Sequence, residues 1–155
     1  MSLLALSLLS AAVSDVRRYM IPNWLVAGVV ATFATNLFAE PLNPSDIALH
    51  LAAGVIILIL GFFLFAKGLF GGGDAKLLAA MALWTGFSDL PRFLAVTTIA
   101  GAVLAIAVLL QRRLTSSGAQ IDHRLPYGVA IAVGGLDFCI RQTDLMKITS
   151  ELFAN

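Results

Sequence analysis

The chain has 155 residues, of which 59% are hydrophobic and only 12% are charged, and its mean hydropathy is +0.93. A water-soluble domain carries about 25% charged residues, so this sequence lacks the polar surface of a soluble fold and indicates a lipid environment. The net charge of +1 gives no basis for nucleic-acid binding, and a single cysteine, Cys139, excludes an internal disulfide and a cysteine-rich zinc site. We expect neither a metal nor a cofactor.

Six apolar segments predict six membrane-spanning helices. A spanning helix needs about 20 mostly apolar residues to cross about 30 Å of hydrocarbon. The segments cover 1–18, 22–39, 46–66, 74–88, 90–111 and 126–142. Every proline lies at or beside one of these boundaries, where proline is tolerated or ends a helix. The predicted fold is therefore an all-α, polytopic bundle, a single integral-membrane domain over 1–155 with one substantial hydrophilic loop at 111–124.

The positive charges predict how the bundle is oriented. If the N-terminus is outside, most of the Lys and Arg residues fall on the inner side of the membrane, as the positive-inside rule requires. The inner residues are Arg17, Arg18, Lys67, Lys76, Arg112, Arg113 and Arg124. The first segment also has some character of a cleaved signal peptide, but its positive charges follow the apolar run, whereas those of a signal peptide precede it.

Two aspartates are predicted near the inner ends of separate helices. Asp15 lies about one turn inside the edge of the first segment, and Asp74 begins the fourth. A carboxylate in a membrane span costs about 2.5–3.5 kcal/mol at the centre and less near the rim, and such residues are usually functional. If the two carboxyl groups face each other, they share one proton because both cannot ionise cheaply. Such a pair can hydrolyse a peptide bond without a metal or a covalent nucleophile.

Three glycines, Gly71–Gly73, precede Asp74 and allow an irregular backbone there. Irregular backbone at membrane depth is tolerated only where protein buries it or where it lines a wet cavity, so we expect a water-accessible cleft beside Asp74. Each aspartate also has a structural interpretation. Asp74 could be a helix N-cap, and Asp15 could pair with Arg18 three residues later.

Other polar residues have mainly structural interpretations. Lys76 either anchors to inner headgroups or steers a substrate carboxylate. Asp137 lies inside the last segment with Arg141 four residues on, and this spacing favours a structural ion pair. We expect His50 to be non-catalytic. The small residue Gly61 indicates close helix packing.

The helix dipole predicts how the two aspartates divide the shared proton. Asp74 lies at a helix N-terminus, which favours a carboxylate, whereas Asp15 lies near a C-terminus, which disfavours one. This difference predicts Asp74 as the ionised base and Asp15 as the protonated partner. The positive charges of Arg17 and Arg18 oppose the prediction.

Three motifs, in this order along the chain, resemble those of the type IV prepilin peptidases. They are Asp15 with Ile21-Pro22-Asn23 six residues later, Gly71-Gly72-Gly73-Asp74-Ala75-Lys76, which is similar to the pattern Gly-x-Gly-Asp-x-Lys, and Pro126-Tyr127-Gly128 before a small-residue helix. The resemblance runs through essentially the whole chain. It implies six transmembrane helices and a catalytic role for Asp15 and Asp74. It assigns Gly71, Gly73 and Lys76 to a supporting active-site loop, and the remaining motif residues to structural roles.

The resemblance also implies an activity and a location. Members of the family cleave the short basic leader of pilin-like precursors at the cytoplasmic face of the bacterial inner membrane, so the expected partners are a prepilin or pseudopilin helix and the lipid bilayer. The small size resembles the tight-adherence (Flp) branch. Bifunctional members carry an insert with paired cysteines, absent here, which puts N-methylation in doubt. The alternative is a non-enzymatic transporter or pilus-assembly scaffold with a proton-linked carboxylate pair.

Overall fold

The computed structural model describes residues 1–114 and 125–153, and within these residues the regular structure is helical throughout. Five α-helices follow one another: α1 (Ser2–Arg18), α2 (Asn23–Ala39), α3 (Pro44–Ala66), α4 (Gly72–Leu114) and α5 (Tyr127–Phe153). The predicted all-α fold is confirmed. Most of the hydrophilic loop predicted at 111–124, with Arg124, lies outside the described residues, while its first residues continue α4.

The helix boundaries differ from the prediction at two places. The fourth and fifth predicted segments form the single element α4, which is interrupted at Gly86 (φ 55°, ψ −173°). The predicted boundary at Asp89, beside Pro91, is wrong. Glycine adopts the observed backbone conformation without strain. Pro91 lies near the start of the second half of α4, where proline is better tolerated. The last helix also continues beyond its predicted end at 142, because residues 143–153 contain no glycine or proline to stop it.

Helix α4 lies at the centre of the bundle. It packs against α2, α3 and α5, while α1 packs against α2 and α5. The predicted close packing at Gly61 is confirmed, because a Cβ at this position would lie 2.9 Å from the Cβ of Ala75 on α4. The largest fully buried side chains of the core come from α1, α2, α4 and α5, and they include Leu4, Leu8, Val29, Leu77, Met81, Phe93 and Ile131.

The outer surface of the bundle is strongly apolar. On α3, Phe62 and Phe63 are 61% and 59% exposed, and most of their neighbours are exposed apolar residues as well. A contiguous apolar surface of this kind is rare on soluble monomers. Within the described residues, Pro44–Ala66 and Gly72–Gln111 are long and apolar enough to cross a membrane, and Asn23–Ala39 is a shorter apolar helix.

Candidate active site

The last turn of α1 places Asp15 in the interior of the bundle. Its side chain is only 4% exposed. The helix ends at Arg18, and Tyr19 then adopts a left-handed conformation (φ 49°) while its N–H donates to the Asp15 carbonyl at 2.8 Å. This turn reverses the chain, so that Ile21 packs into the core beneath Asp15 and Pro22 leads into α2.

The first turn of α4 places Asp74 beside the same space. Asp74 is the third residue of the helix, so it is not the N-cap, and it is 9% exposed. Its Oδ1 is buried and has no hydrogen-bond partner among the described residues. Asp15 and Asp74 both line a cavity of about 560 Å³, together with Tyr19, Met20 and the loop Gly68–Gly73. The cleft predicted beside Asp74 is therefore present.

The glycines before Asp74 allow close packing of the two aspartate-bearing segments. A Cβ on Gly73 would lie 3.1 Å from the Cβ of Ile21 and 3.2 Å from its carbonyl oxygen. A Cβ on Gly71 would collide with the Asp74 carboxylate itself. The loop thus lies directly against the turn that follows Asp15. A larger side chain at Gly73 would push the two segments apart, and one at Gly71 would displace the Asp74 carboxylate.

The start of α5 completes the cavity. Leu125 and Tyr127 line it, and the Tyr127 ring lies 5.2 Å from that of Phe70 across the opening. The backbone N–H of Gly128 donates to Asp15 Oδ2 at 2.7 Å in a buried position. Sequence reasoning gave Pro126, Tyr127 and Gly128 only a structural role and missed this contact. A Pro-x-Gly sequence at a helix start, where backbone N–H groups are free to bind an anion, was the available signal.

A polar contact joins the two aspartate motifs at the surface. Lys76 Nζ donates to Asn23 Oδ1 at 2.9 Å, and both side chains are exposed. The contact connects the first turn of α4 to the first turn of α2. It therefore links the segment that follows Asp15 to the segment that contains Asp74.

The electrostatics of the cavity are unusual for buried carboxylates. The carboxylates of Asp15 and Asp74 are close enough to repel each other. Among the side chains that the structure describes, neither of them forms an ion pair, so the alternative pairing of Asp15 with Arg18 is not made. Two buried like charges without a cation cannot both be ionised cheaply, and one shared proton resolves the conflict.

The remaining polar residues have structural contacts. Asp137 pairs with Arg141, as predicted, at 3.2 Å, and it also accepts two hydrogen bonds from Arg92, at 3.1 and 3.2 Å. Sequence reasoning missed Arg92. His50 stacks on an aromatic ring of α2, and its Nδ1 donates to the Leu83 carbonyl at 2.8 Å, beside the break in α4. This environment fits the predicted non-catalytic role of His50.

Comparison with known proteins gives consistent matches. The model of the type IV leader peptidase family matches residues 2–106. The chain is also similar to proteins named prepilin leader peptidase/N-methyltransferase. It is 28% identical to that of Burkholderia pseudomallei strain 1026b, over 85% of this chain and 43% of the relative. It is 27% identical to that of Legionella pneumophila, over 83% of this chain and 45% of the relative, and 30% identical to that of Stutzerimonas stutzeri, over 87% of this chain and 47% of the relative.

The chain spans less than half the length of these relatives. No solved structure matches the chain significantly. The family resemblance predicted from the three motifs is confirmed, and the matched residues include both Asp15 and Asp74. The chain is a membrane protein that belongs to the type IV leader peptidase family.

Proposed function

We propose that the protein is an intramembrane aspartic endopeptidase that removes the short basic leader of Flp-type type IV prepilins and pseudopilins. Asp15 and Asp74 are the catalytic pair, and residues 1–155 act as one peptidase domain. The observation that carries the proposal is the presence of two buried carboxylates in one cavity, without a cation among the described residues and with Asp74 Oδ1 unpartnered. A structural carboxylate at such depth would be expected to have a partner.

The pair can hydrolyse a peptide bond by general acid–base catalysis. The ionised aspartate takes a proton from water, and the resulting hydroxide attacks the scissile carbonyl carbon while the protonated aspartate gives its proton to the carbonyl oxygen. The C–N bond then breaks, as the first aspartate passes its proton to the leaving amine and the diol returns a proton to the second. Atoms and charges balance, and both carboxyl groups regain their starting states.

Gly71, Gly73 and Lys76 support this site. Gly73 allows the segment before Asp74 to lie against Ile21, Gly71 leaves room for the Asp74 carboxylate, and Lys76 links the first turn of α4 to Asn23. The rim of the cavity exposes apolar side chains, with Met20 65% and Leu69 63% exposed. This rim suits a precursor whose mature part begins as an apolar helix.

We further propose that the six apolar segments span the bacterial inner membrane, with the N-terminus outside and the cavity at the cytoplasmic face. Four basic residues support this orientation: Arg17, Arg18, Lys67 and Lys76 all lie at the same end of the bundle as the cavity. The positive-inside rule assigns that end to the cytoplasm. The proposal covers the peptidase activity and does not extend to N-methylation.

The test uses the purified full chain in detergent and in proteoliposomes with a type IV pilin precursor, and mass spectrometry locates the cut. We expect leader removal by the native protein, and a loss of about 10³-fold or more in Asp15→Asn and Asp74→Asn, within the range for loss of general acid–base catalysis. Asp144→Asn, an exposed aspartate on α5, is the control. If both variants cleave normally, the proposal is wrong. Precursor or proton flux without cleavage would favour the transporter alternative.

A further inference from the structure

The two aspartates differ in what contacts them. The N–H of Gly128 donates to Asp15 Oδ2 at 2.7 Å, a short distance typical of a hydrogen bond to a charged acceptor. An N–H group can only donate, so this carboxylate oxygen accepts. The first turn of α5 therefore faces Asp15, although 113 residues separate the two in sequence. Neither the position of Asp15 on its own helix nor its neighbouring residues indicate this contact.

Asp74 lacks an equivalent partner. The amides of Gly71 and Gly128 lie close to its carboxylate, but only the bond from Gly128 to Asp15 has hydrogen-bond geometry. Asp74 Oδ1 is buried and receives no hydrogen bond from any described residue. Burial without a partner costs an ionised carboxylate more free energy than a protonated carboxyl group, which carries no net charge.

We propose that Gly128 is a positioning residue whose backbone N–H holds Asp15 as the ionised base, so that Asp74 carries the shared proton and gives it to the scissile carbonyl oxygen. This inference rests on the proposed function and extends it. It reverses the assignment that the helix dipoles of α1 and α4 predict, because α5 brings its own N-terminus to Asp15. Asp15 then takes the proton from water.

Glycine is required at 128 for steric reasons as well. A Cβ would lie 2.7 Å from Asp15 Oδ2 and 2.8 Å from Ile21 Cδ1. Gly101 on α4 is a matched control, since a Cβ there would lie 3.6 Å from Ala130 in ordinary contact. We expect Gly128→Ala to lower kcat by about 10²-fold, the scale of losing one preorganised donor, with KM changed less than about threefold. Gly101→Ala should keep both constants.

A backbone ester removes the donor without adding an atom to the side chain. Replacing Gly128 by glycolic acid during synthesis of the full chain deletes the N–H that contacts Asp15. The matched ester at Tyr127 deletes a neighbouring N–H, which donates to the Leu125 carbonyl at 2.9 Å. We expect the ester at 128 to lower kcat by at least about tenfold and the ester at 127 to change it less than about threefold. Equal kcat values for the native chain and the ester at 128 would overturn the proposal.

Infrared spectroscopy tests the assignment without turnover. The spectrum of Asp74→Asn minus that of the Asp15→Asn/Asp74→Asn double variant isolates Asp15, and the reciprocal subtraction isolates Asp74. At a pH where one group is ionised and the other protonated, we expect a carboxylate band for Asp15 and a protonated carboxyl band for Asp74. The ester at 128 should shift the Asp15 band, and the ester at 127 should not.

The reverse assignment, or an Asp15 band unaffected by the ester at 128, would overturn the inference. These bands do not depend on cleavage. A native protein that fails to cut the precursor would therefore disprove the proposed function while leaving the contact between Gly128 and Asp15 open to this measurement.

Discussion

Carboxylate groups have different surroundings at the two ends of the bundle. At the cavity end, Asp15 and Asp74 are buried without a cation among the described residues. At the other end, which we call the paired end, four side chains form a continuous charge network: Asp137 contacts Arg92 and Arg141, and Arg141 also contacts Asp89 at 2.9 Å. The paired carboxylates are the more exposed ones, at 25% and 29% of the side chain.

The charged groups of the paired end hold helices together, whereas the carboxylates of the cavity end are available for chemistry. A carboxylate near the surface with two arginines has its charge compensated and has little capacity left for proton transfer. A buried carboxylate without a partner destabilises the fold, so its retention indicates another use. We therefore expect substitutions at the paired end to change mainly stability, and substitutions at the cavity end to change mainly activity.

The largest effect on stability is expected at Gly86, where α4 turns back beside the paired end. Gly86→Ala forces a side chain into a positive-φ conformation (φ 55°), and its Cβ would lie 2.9 Å from the His50 ring. We expect the free energy of unfolding to fall by about 3 kcal/mol from backbone strain and crowding combined. Cys139, buried and unique, is a built-in reporter: its reaction with a thiol-reactive dye during heating measures unfolding in detergent.

Activity per folded molecule should survive Gly86→Ala within about threefold, because the break lies about 20 Å along the helix from Asp74. The control is Gly101→Ala, which should unfold like the native protein. A Gly86→Ala protein that is as stable as the native chain would show that the paired end does not depend on this break.

Gly61→Ala should mainly lower activity, because Gly61 packs against Ala75, the residue that follows Asp74. Its Cβ would come within 2.9 Å of the Ala75 Cβ, and neither helix backbone can yield without moving the first turn of α4. We expect leader cleavage to fall about tenfold, since small displacements of a catalytic group are costly. Steady-state kinetics on the pilin precursor, with Gly101→Ala in parallel, measure this. Unchanged kcat would mean that Asp74 tolerates displacement.

Much of this comparison follows from local sequence. Apolar length and the prolines predicted the helices, and the glycines before Asp74 predicted an open site beside it. The break at Gly86 was not predictable, because a proline five residues later is a stronger local signal and only tertiary contacts select the glycine conformation. The contacts of Arg92 with Asp137 and of Gly128 with Asp15 join residues 45 and 113 positions apart, and no periodic pattern encodes them.

Asp137→Asn should lower stability modestly and leave activity intact. It removes the carboxylate contacted by Arg92 and Arg141, although Arg141 keeps Asp89. Because the Arg92 side chain is 57% exposed, solvent screens the pair, and the free energy of unfolding should fall by much less than in Gly86→Ala. Dye-detected unfolding at low and high salt checks this: high salt should reduce the difference from the native protein. Asp144→Asn, exposed on the same helix, should unfold normally, and a loss of cleavage in Asp137→Asn would contradict the separation of the two ends.

The smallest effect is expected at the contact between Lys76 and Asn23, the only hydrogen bond between side chains of the two aspartate motifs in the described part of the chain. Lys76→Gln and Asn23→Ala should each lower kcat/KM by about three- to fivefold, since the bond is exposed and its net free energy is about 1 kcal/mol. If the bond acts by holding α2 against α4, the double variant should be no worse than either single variant, because each already removes the same contact. Alternatively, Lys76 anchors headgroups or steers the substrate. In that case Asn23→Ala should leave kcat/KM unchanged, and Lys76→Arg should keep the native kcat/KM whether or not Asn23 is present. Kinetics of the native protein and these variants therefore decide between an interaction within the site and one with its surroundings.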